Sequence, residues 1–257
     1  MSEIHPTAII DPKAEIGSGV KIGPYSIIEA DTIIHDNVTI GSNCLVAQYT
    51  ELKEKVTLFH GAVVGTVPQD LKFEDEKTSL IIGEGTTIRE YAMLNRGTSE
   101  SGSTTIGRNC FLMAYSHVAH DCHIGNHVIM ANAVNLAGHI EIGDYAIIGG
   151  VVPIHQFVKI GAHSMIGGGY RVPQDVCPYA LVGGYPMKVA GLNKVGLKRR
   201  GFSGDAIKTL EKVFKLLFGS NLNRSQAVEK IKSDIEMTDE VKVVLEFIAR
   251  SKRGLVT

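Results

Sequence analysis

Residues 4–40 read IHPTAIIDPKAEIGSGVKIGPYSIIEADTIIHDNVTI, and every sixth residue from the first is isoleucine: Ile4, Ile10, Ile16, Ile22, Ile28, Ile34 and Ile40. The ladder continues through Val46, Leu52, Leu58 and Val64, and resumes in the same frame at Ile82, Ile88 and Leu94. It resumes again at Ile106 and runs through Leu112, Val118, Ile124, Met130, Leu136, Ile142, Ile148, Ile154, Ile160 and Ile166 to Val172. Hydrophobic residues make up 44% of the chain, so a match of this length does not arise by chance. A period of six is neither that of a helix nor the alternation of a long strand. The residue four after each aliphatic is small or β-branched, as at Ala14, Val20, Ser26, Thr32, Val38 and Cys44, and the next residue is often glycine, as at Gly17, Gly23 and Gly41. The pattern predicts short strands, each followed by a turn, winding into a solenoid. The aliphatic and the small residue point inward, and glycine relaxes the corner.

Hexapeptide repeats of this kind resemble the all-β left-handed parallel β-helix family, with three hexads per coil. The resemblance implies that residues eighteen apart stack on adjacent coils. The frame breaks at 65–81, which contains Pro68-Gln69-Asp70-Leu71-Lys72, and at 95–105. It is kept after both, so these read as loops extruded from an intact coil, and long loops on a repeat scaffold tend to carry function. After Val172, Pro173, Pro178 and Pro186 mark a transition. Ile207, Leu210, Val213, Phe214 and Leu217 then lie at helical spacing, with Ser203 as N-cap and Gly219 as stop. Two further helices are expected at about 225–233 and 238–251. The expected architecture is a left-handed β-helix over 1–187 with a C-terminal α-helical domain over 188–257, which protects the open edge of the solenoid.

The formal net charge of −1 excludes a global polyanion binder, so no nucleic-acid partner is expected. The charge is uneven: 15 Lys and Arg against 8 Asp and Glu from Lys188 onward, 11 against 19 before it. A basic end segment suits an acidic partner. Met1-Ser2-Glu3 leads straight into the repeat, which reads as no leader peptide. No apolar run reaches the length of a membrane span, so no stable membrane insertion is expected. The four cysteines lack the spacing of a disulfide framework or a zinc site. A cytoplasmic protein is expected.

Histidines crowd one segment: His117, His120, His123, His127, His139 and His155, none of them in the inward aliphatic slot. Cys44, Cys110 and Cys122 do fall in the inward small slot and read as core filler. Three uses of the imidazoles stand open. They suit metal binding, as in the γ-type carbonic anhydrases, where three imidazoles converge between subunits; general-base catalysis by one of them; or plain surface and interface positions. Stacking favours the second. His120, Gly138 and Gln156 form a column, and a glycine beside a base leaves room for a substrate and exposes a backbone N–H suited to a tetrahedral oxyanion. Asp121 follows His120 and can orient the ring. No Ser or Cys nucleophile accompanies them, so direct attack by the acceptor is expected rather than an acyl-enzyme.

The stretch His117-Val118-Ala119-His120-Asp121-Cys122 resembles the signature of the UDP-N-acetylglucosamine O-acyltransferases that begin lipid A biosynthesis. So do Gly65…Pro68-Gln69-Asp70-Leu71-Lys72, Arg96-Gly97-Thr98, Leu136-Ala137-Gly138-His139, His155-Gln156-Phe157 and the run from Gly196 to Phe202. Together, in this order, they cover essentially the whole chain. The resemblance implies a homotrimer with sites between subunits, an (R)-3-hydroxyacyl donor on the phosphopantetheine of acyl carrier protein, a UDP-sugar acceptor and no metal or other cofactor. It implies that His120 is the general base, with Asp121 beside it, and that the Gly138 N–H is the oxyanion donor. Gln69, Asp70, Lys72, His117, His139, Gln156 and Asn193 match substrate-contacting positions. Arg199 and Arg200 match residues near the nucleotide phosphates, and Gly168 matches the position that limits acyl-chain length. Asn95 stands where many relatives carry His; it is expected to line the sugar site, and it leaves open a 3-hydroxyl or a 3-amino acceptor. Competing readings are the N-acyltransferase of the same pathway, whose uridine-binding domain precedes its β-helix, another sugar acetyltransferase, a γ-carbonic-anhydrase-like metalloenzyme, and a scaffold without activity.

Overall fold

The computed structural model describes residues 2–257; Met1 lies outside them. The chain winds as a left-handed parallel β-helix of triangular section. Three sheets of eleven, eight and eight strands form its faces. Face A begins with Glu3–Ile4, face B with Ile9–Ile10 and face C with Glu15–Ile16. Ile4 pairs with Ile22, Ile10 with Ile28 and Ile16 with Ile34, so each coil takes eighteen residues and stacks in register on the next.

Most strands are two residues long, one side chain out and one in. The inward ladder is dry: Val46, Leu52, Val64, Ile82, Leu94, Val118 and Ile148 are fully buried, as are the small residues Val20, Ser26, Thr32 and Val38. Burying each aliphatic contributes about 1.5–3 kcal/mol. Cys44, Cys110, Cys122 and Cys177 are unpaired and buried in this core.

The corners carry the winding. From Gly19 onward a residue at positive φ recurs at most of them, among them Asp31 (55°), Asn37 (59°), Tyr145 (62°) and His163 (57°). Asn and Asp tolerate that region best. The glycine row has a different cause from the one expected. Gly23 is not at positive φ; a Cβ there would lie 2.6 Å from the Gly41 carbonyl oxygen of the next coil. These glycines permit close approach between coils rather than relaxing the corner.

The two loops add whole hexads. Thr57 pairs with Thr87 and Thr87 with Phe111, thirty and twenty-four residues on instead of eighteen. Strands Val63–Thr66, Ser79–Ile82, Met93–Asn95 and Ser103–Ile106 take the ends of the expected interruptions, leaving 67–78 and 96–102 outside the sheets.

The coil continues past the expected break, since Val172 and Val176 still bridge to Ile154 and Ile160. Ala180–Gly183 then joins face A and pairs antiparallel with Lys188–Leu192. The boundary expected at 187/188 therefore falls inside a hairpin of the coil's own sheet. Four helices follow: α1 Lys194–Arg199, α2 Gly204–Phe218, α3 Arg224–Asp234 and α4 Asp239–Arg250. Ser203 caps α2 by accepting from the Ala206 N–H, and Gly219 ends it. The tail is clasped to the coil by buried Asp175. Its carboxylate accepts from the Lys159 N–H (2.8 Å) and the Ser251 hydroxyl (2.7 Å), and its backbone bonds Gly254 and Val256. Among the described residues no helix is long and apolar enough to cross a membrane.

Candidate active site

Strand His117–Val118 sends Val118 into the core and His117 outward on face B. The chain then turns through Ala119, His120 and Asp121, where φ is 59°. The next coil repeats the turn at Ala137, Gly138 and His139 (61°), and the one after at His155, Gln156 and Phe157 (64°). The His139 N–H donates to the His120 carbonyl (3.1 Å) and the Phe157 N–H to the Gly138 carbonyl (3.2 Å). The column of His120, Gly138 and Gln156 is thus in register.

No side chain separates His120 from the coil beneath its ring. A Cβ on Gly138 would lie 2.7 Å from His120 Cε1 and 2.8 Å from Nε2. His139 stacks on Phe157 (4.5 Å, 8°) and meets His120 edge to face (5.0 Å, 88°). Among the described residues the Gly138 N–H has no acceptor.

His120 Nδ1 lies 2.8 Å from Asp121 Oδ2. The Asp121 side chain is wholly buried. Its carboxylate accepts four hydrogen bonds: from the Thr98 N–H (2.9 Å) and the Ser101 hydroxyl on Oδ1, and from the Thr98 hydroxyl (2.7 Å) and His120 on Oδ2. Burial disfavours the charged form, but the bonds from His120, Ser101 and Thr98 outweigh it and hold the carboxyl well below the usual range. The same bond raises the imidazole above its ordinary value, against the opposing effect of burial; Asp121, Asp70 and Glu100 add charge in the same direction. A charged carboxylate accepts only, so the proton of neutral His120 sits on Nδ1 and Nε2 carries the free lone pair.

His117 is tuned the other way. Burial lowers it, and Nδ1 faces the Met93 carbonyl at 3.2 Å. It is a neutral ring with Nε2 free. His117 and His120 line a cleft of about 380 Å³ with Gln69, Leu136, Gly138 and Pro153. A larger cleft, about 540 Å³, separates face C from α4. It contains none of the expected site residues, and three of its charged side chains, Glu141, Lys159 and Arg250, are paired with one another. The smaller cleft holds the tuned imidazoles.

The other expected residues divide into groups. Asp70 and Lys72 sit on the 67–78 loop, where the Lys72 N–H donates to the Asp70 carboxylate at 3.0 Å. Asn95 does not line the cleft. It is 1% exposed and pins the loop's stem, its amide nitrogen donating to the Thr66 hydroxyl (2.9 Å) and the Val67 carbonyl (3.0 Å). Gln156 is exposed. Gly168 lies at the far end of the coil, where a Cβ would be 3.1 Å from the Gly150 carbonyl oxygen. Asn193 caps α1: it accepts from the Gly196 N–H and donates to the His163 carbonyl (2.9 Å). Arg199 and Arg200 are exposed, with the Arg200 guanidinium 4.2 Å from the centre of the Tyr145 ring. Tyr145 turns the chain from face C to face A, whereas His120 turns it from face B to face C. One chain therefore does not bring the arginines to His120. Thr98 and Ser101 were not among the expected site residues, although Thr98 stood in a quoted motif; their bonds to Asp121 span 23 and 20 residues.

His120, Asp121 and His139 each offer one ligand atom within 4.8 Å of the others. Two imidazoles and a carboxylate can hold a transition metal. Here the four acceptor positions of the carboxylate are taken by protein donors, and the set is not the three imidazoles of the carbonic-anhydrase reading.

Residues 175–256 match the family described as Udp N-acetylglucosamine O-acyltransferase, domain 2, and residues 13–48 and 103–138 match the bacterial transferase hexapeptide family. The chain is 51% identical over 256 residues to the acyl-(acyl-carrier-protein)–UDP-N-acetylglucosamine O-acyltransferase of Trichlorobacter lovleyi, covering 98% of both chains. It is 48% identical to the protein of that name from Thermodesulfovibrio yellowstonii, covering 99% of both. The solved LpxA structure from Acinetobacter baumannii aligns with a TM-score of 0.96 at 42% identity over 99% of both chains.

Proposed function

This chain belongs to the UDP-N-acetylglucosamine O-acyltransferase family of lipid A biosynthesis, and we propose that it transfers an (R)-3-hydroxyacyl group from acyl carrier protein to the 3-position of the UDP-sugar with His120 as general base. The observation that carries this reading is the bare Nε2 of His120, backed by Asp121 and set against Gly138. Nε2 takes the proton of the sugar's 3-hydroxyl as its oxygen attacks the thioester carbonyl. The tetrahedral oxyanion accepts from the Gly138 N–H. Collapse breaks the carbon–sulfur bond, and the imidazolium returns its proton to the departing phosphopantetheine thiolate. Asp121 stays charged throughout and stabilises the imidazolium. The chemistry calls for no metal and no acyl-enzyme.

The acceptor group is tested by supplying 3-hydroxyl and 3-amino UDP-sugars in parallel. Gly168 is assigned to the end of the acyl groove, so a bulky residue there shortens the accepted chain. The basic C-terminal segment is assigned to the acidic carrier, and Lys198→Glu then raises the KM for acylated carrier.

A ring of three chains is supported by two features. His120 and Arg200 lie on different corners of one prism, so a neighbour is needed to put guanidinium groups near the base. The outward rows also differ. Face A presents Glu3, Lys21, Thr39, Thr57 and Thr87 and then the apolar Phe111, Ile129, Ile147 and Met165, whereas face B presents the apolar Ile9, Ile27, Leu45, Val63 and Met93 and then His117, Asn135 and Pro153. Face C is mostly polar, with Glu15, Glu51, Thr105, His123, Glu141 and Lys159 outward beside Ile33 and Ile81. Two dissimilar faces, each with an apolar stretch, suit a heterologous contact that closes into a ring.

The test is His120→Ala, with products identified by mass and a downstream step coupled to draw the equilibrium. The expected result is a folded protein that has lost transfer by about 10²–10⁴-fold. Turnover at the wild-type rate would remove His120 from the mechanism.

A further inference from the structure

We propose that the 96–102 loop, through Thr98 and Ser101, is a positioning element for catalysis: it fixes the Asp121 carboxylate in the one orientation that keeps the His120 proton on Nδ1. The inference rests on the general-base reading above.

A buried carboxylate without partners is costly, and a partly satisfied one is free to turn towards whatever donor is nearest. Asp121 has no such freedom. Three of its four donors come from this loop, so His120 faces an acceptor that is already held in place. The loop is itself rigidly built. Arg96 and Thr98 are buried. The Gly97 N–H donates to the Ser79 carbonyl (3.1 Å), and the Gly97 carbonyl accepts from the buried Thr78 hydroxyl (2.6 Å). The Thr98 hydroxyl accepts from the Glu100 N–H (3.2 Å) while donating to Asp121, and the Gly102 N–H closes the turn on the Thr98 carbonyl (2.8 Å). From below, the Asp121 N–H donates to the Thr104 hydroxyl (2.9 Å). This coil is one hexad longer than the plain coil that follows it, and the extra residues are those that reach over Asp121.

Neither Thr98 nor Ser101 touches the cleft. Their effect passes through Asp121 to the ring, so it falls on kcat rather than on substrate binding. Thr98→Val keeps the shape of the side chain and removes the hydroxyl; Thr98→Ser keeps the hydroxyl. For Thr98→Val the expected result is a kcat about ten-fold lower, with KM for the UDP-sugar unchanged. The acid limb of the kcat/KM profile moves to lower pH, because a loosened carboxylate no longer raises the imidazole. Thr98→Ser restores both. Should Thr98→Val fail to fold, Ser101→Ala at the exposed end of the clasp reads the same limb and moves it the same way. A folded Thr98→Val with wild-type kcat and an unmoved limb would overturn the proposal, as would a Thr98→Ser protein that fails to restore them. If His120→Ala turned over normally, the base assignment itself would fall and this inference with it.

Discussion

His120 and His163 stand on two corners of the same prism, each beside rings stacked coil on coil, and their basicities move in opposite directions. His120 meets the edge of His139, which itself stacks on Phe157, and is raised by its bond to Asp121. His163 lies between Tyr145 (4.9 Å) and Tyr179 (5.7 Å), and burial with the Arg200 charge lowers it to about 4. Its Nδ1 is buried without a partner. The coil sets both against aromatic rings of the neighbouring coil, edge to face at His120 and stacked at His163. What separates a base from an inert ring is one buried carboxylate and the donors that hold it.

The sharpest way to break this difference is Asp121→Asn. The amide would donate to Nδ1, force the proton onto Nε2 and silence the base, so we expect kcat to fall about 10³-fold with the protein folded. Steady-state kinetics beside a circular-dichroism melt checks this. Gly138→Ala comes next. The added methyl meets the His120 ring at 2.7 Å, and a displacement of that kind is expected to cost about 10²-fold in kcat. The smallest effect is on stability. With a folded-state value of about 4 and an unfolded value of about 6.5, His163 binds its proton more readily when unfolded. Its neutral form costs nothing at neutral pH, and stability is lost as pH falls through that window. His163→Phe is therefore expected to flatten the fall in Tm between about pH 6.5 and 4; a curve parallel to wild type would count against the assignment.

The coil was legible because its signal is strictly local: an aliphatic recurs at every sixth residue between Ile4 and Val172 outside the two loops, and the frame is the same after each loop as before it. The His120–Gly138–Gln156 column followed from the same count. Handedness did not, and came from the family resemblance. The role of the glycine row was misread because close approach between coils and a positive-φ turn leave the same letter in the sequence; only the neighbour at Gly41 tells them apart. The hairpin of 180–192 has no six-residue period to betray it. Asn95 and Asn193 matched binding positions, yet their amides are engaged in holding a loop stem and capping a helix. The clasp on Asp121 was the least legible feature. Its donors come from a Ser- and Thr-rich loop whose composition looks like solvent-exposed linker, and only the folded coil brings it over a carboxylate two dozen residues away.

The most direct measurement of the central claim is the ¹⁵N spectrum of His120 through a pH titration. The expected result is a neutral ring protonated on Nδ1, with Nε2 bare, that titrates above the ordinary histidine value and drops below it in Asp121→Asn. A proton found on Nε2 in the wild-type protein would contradict it.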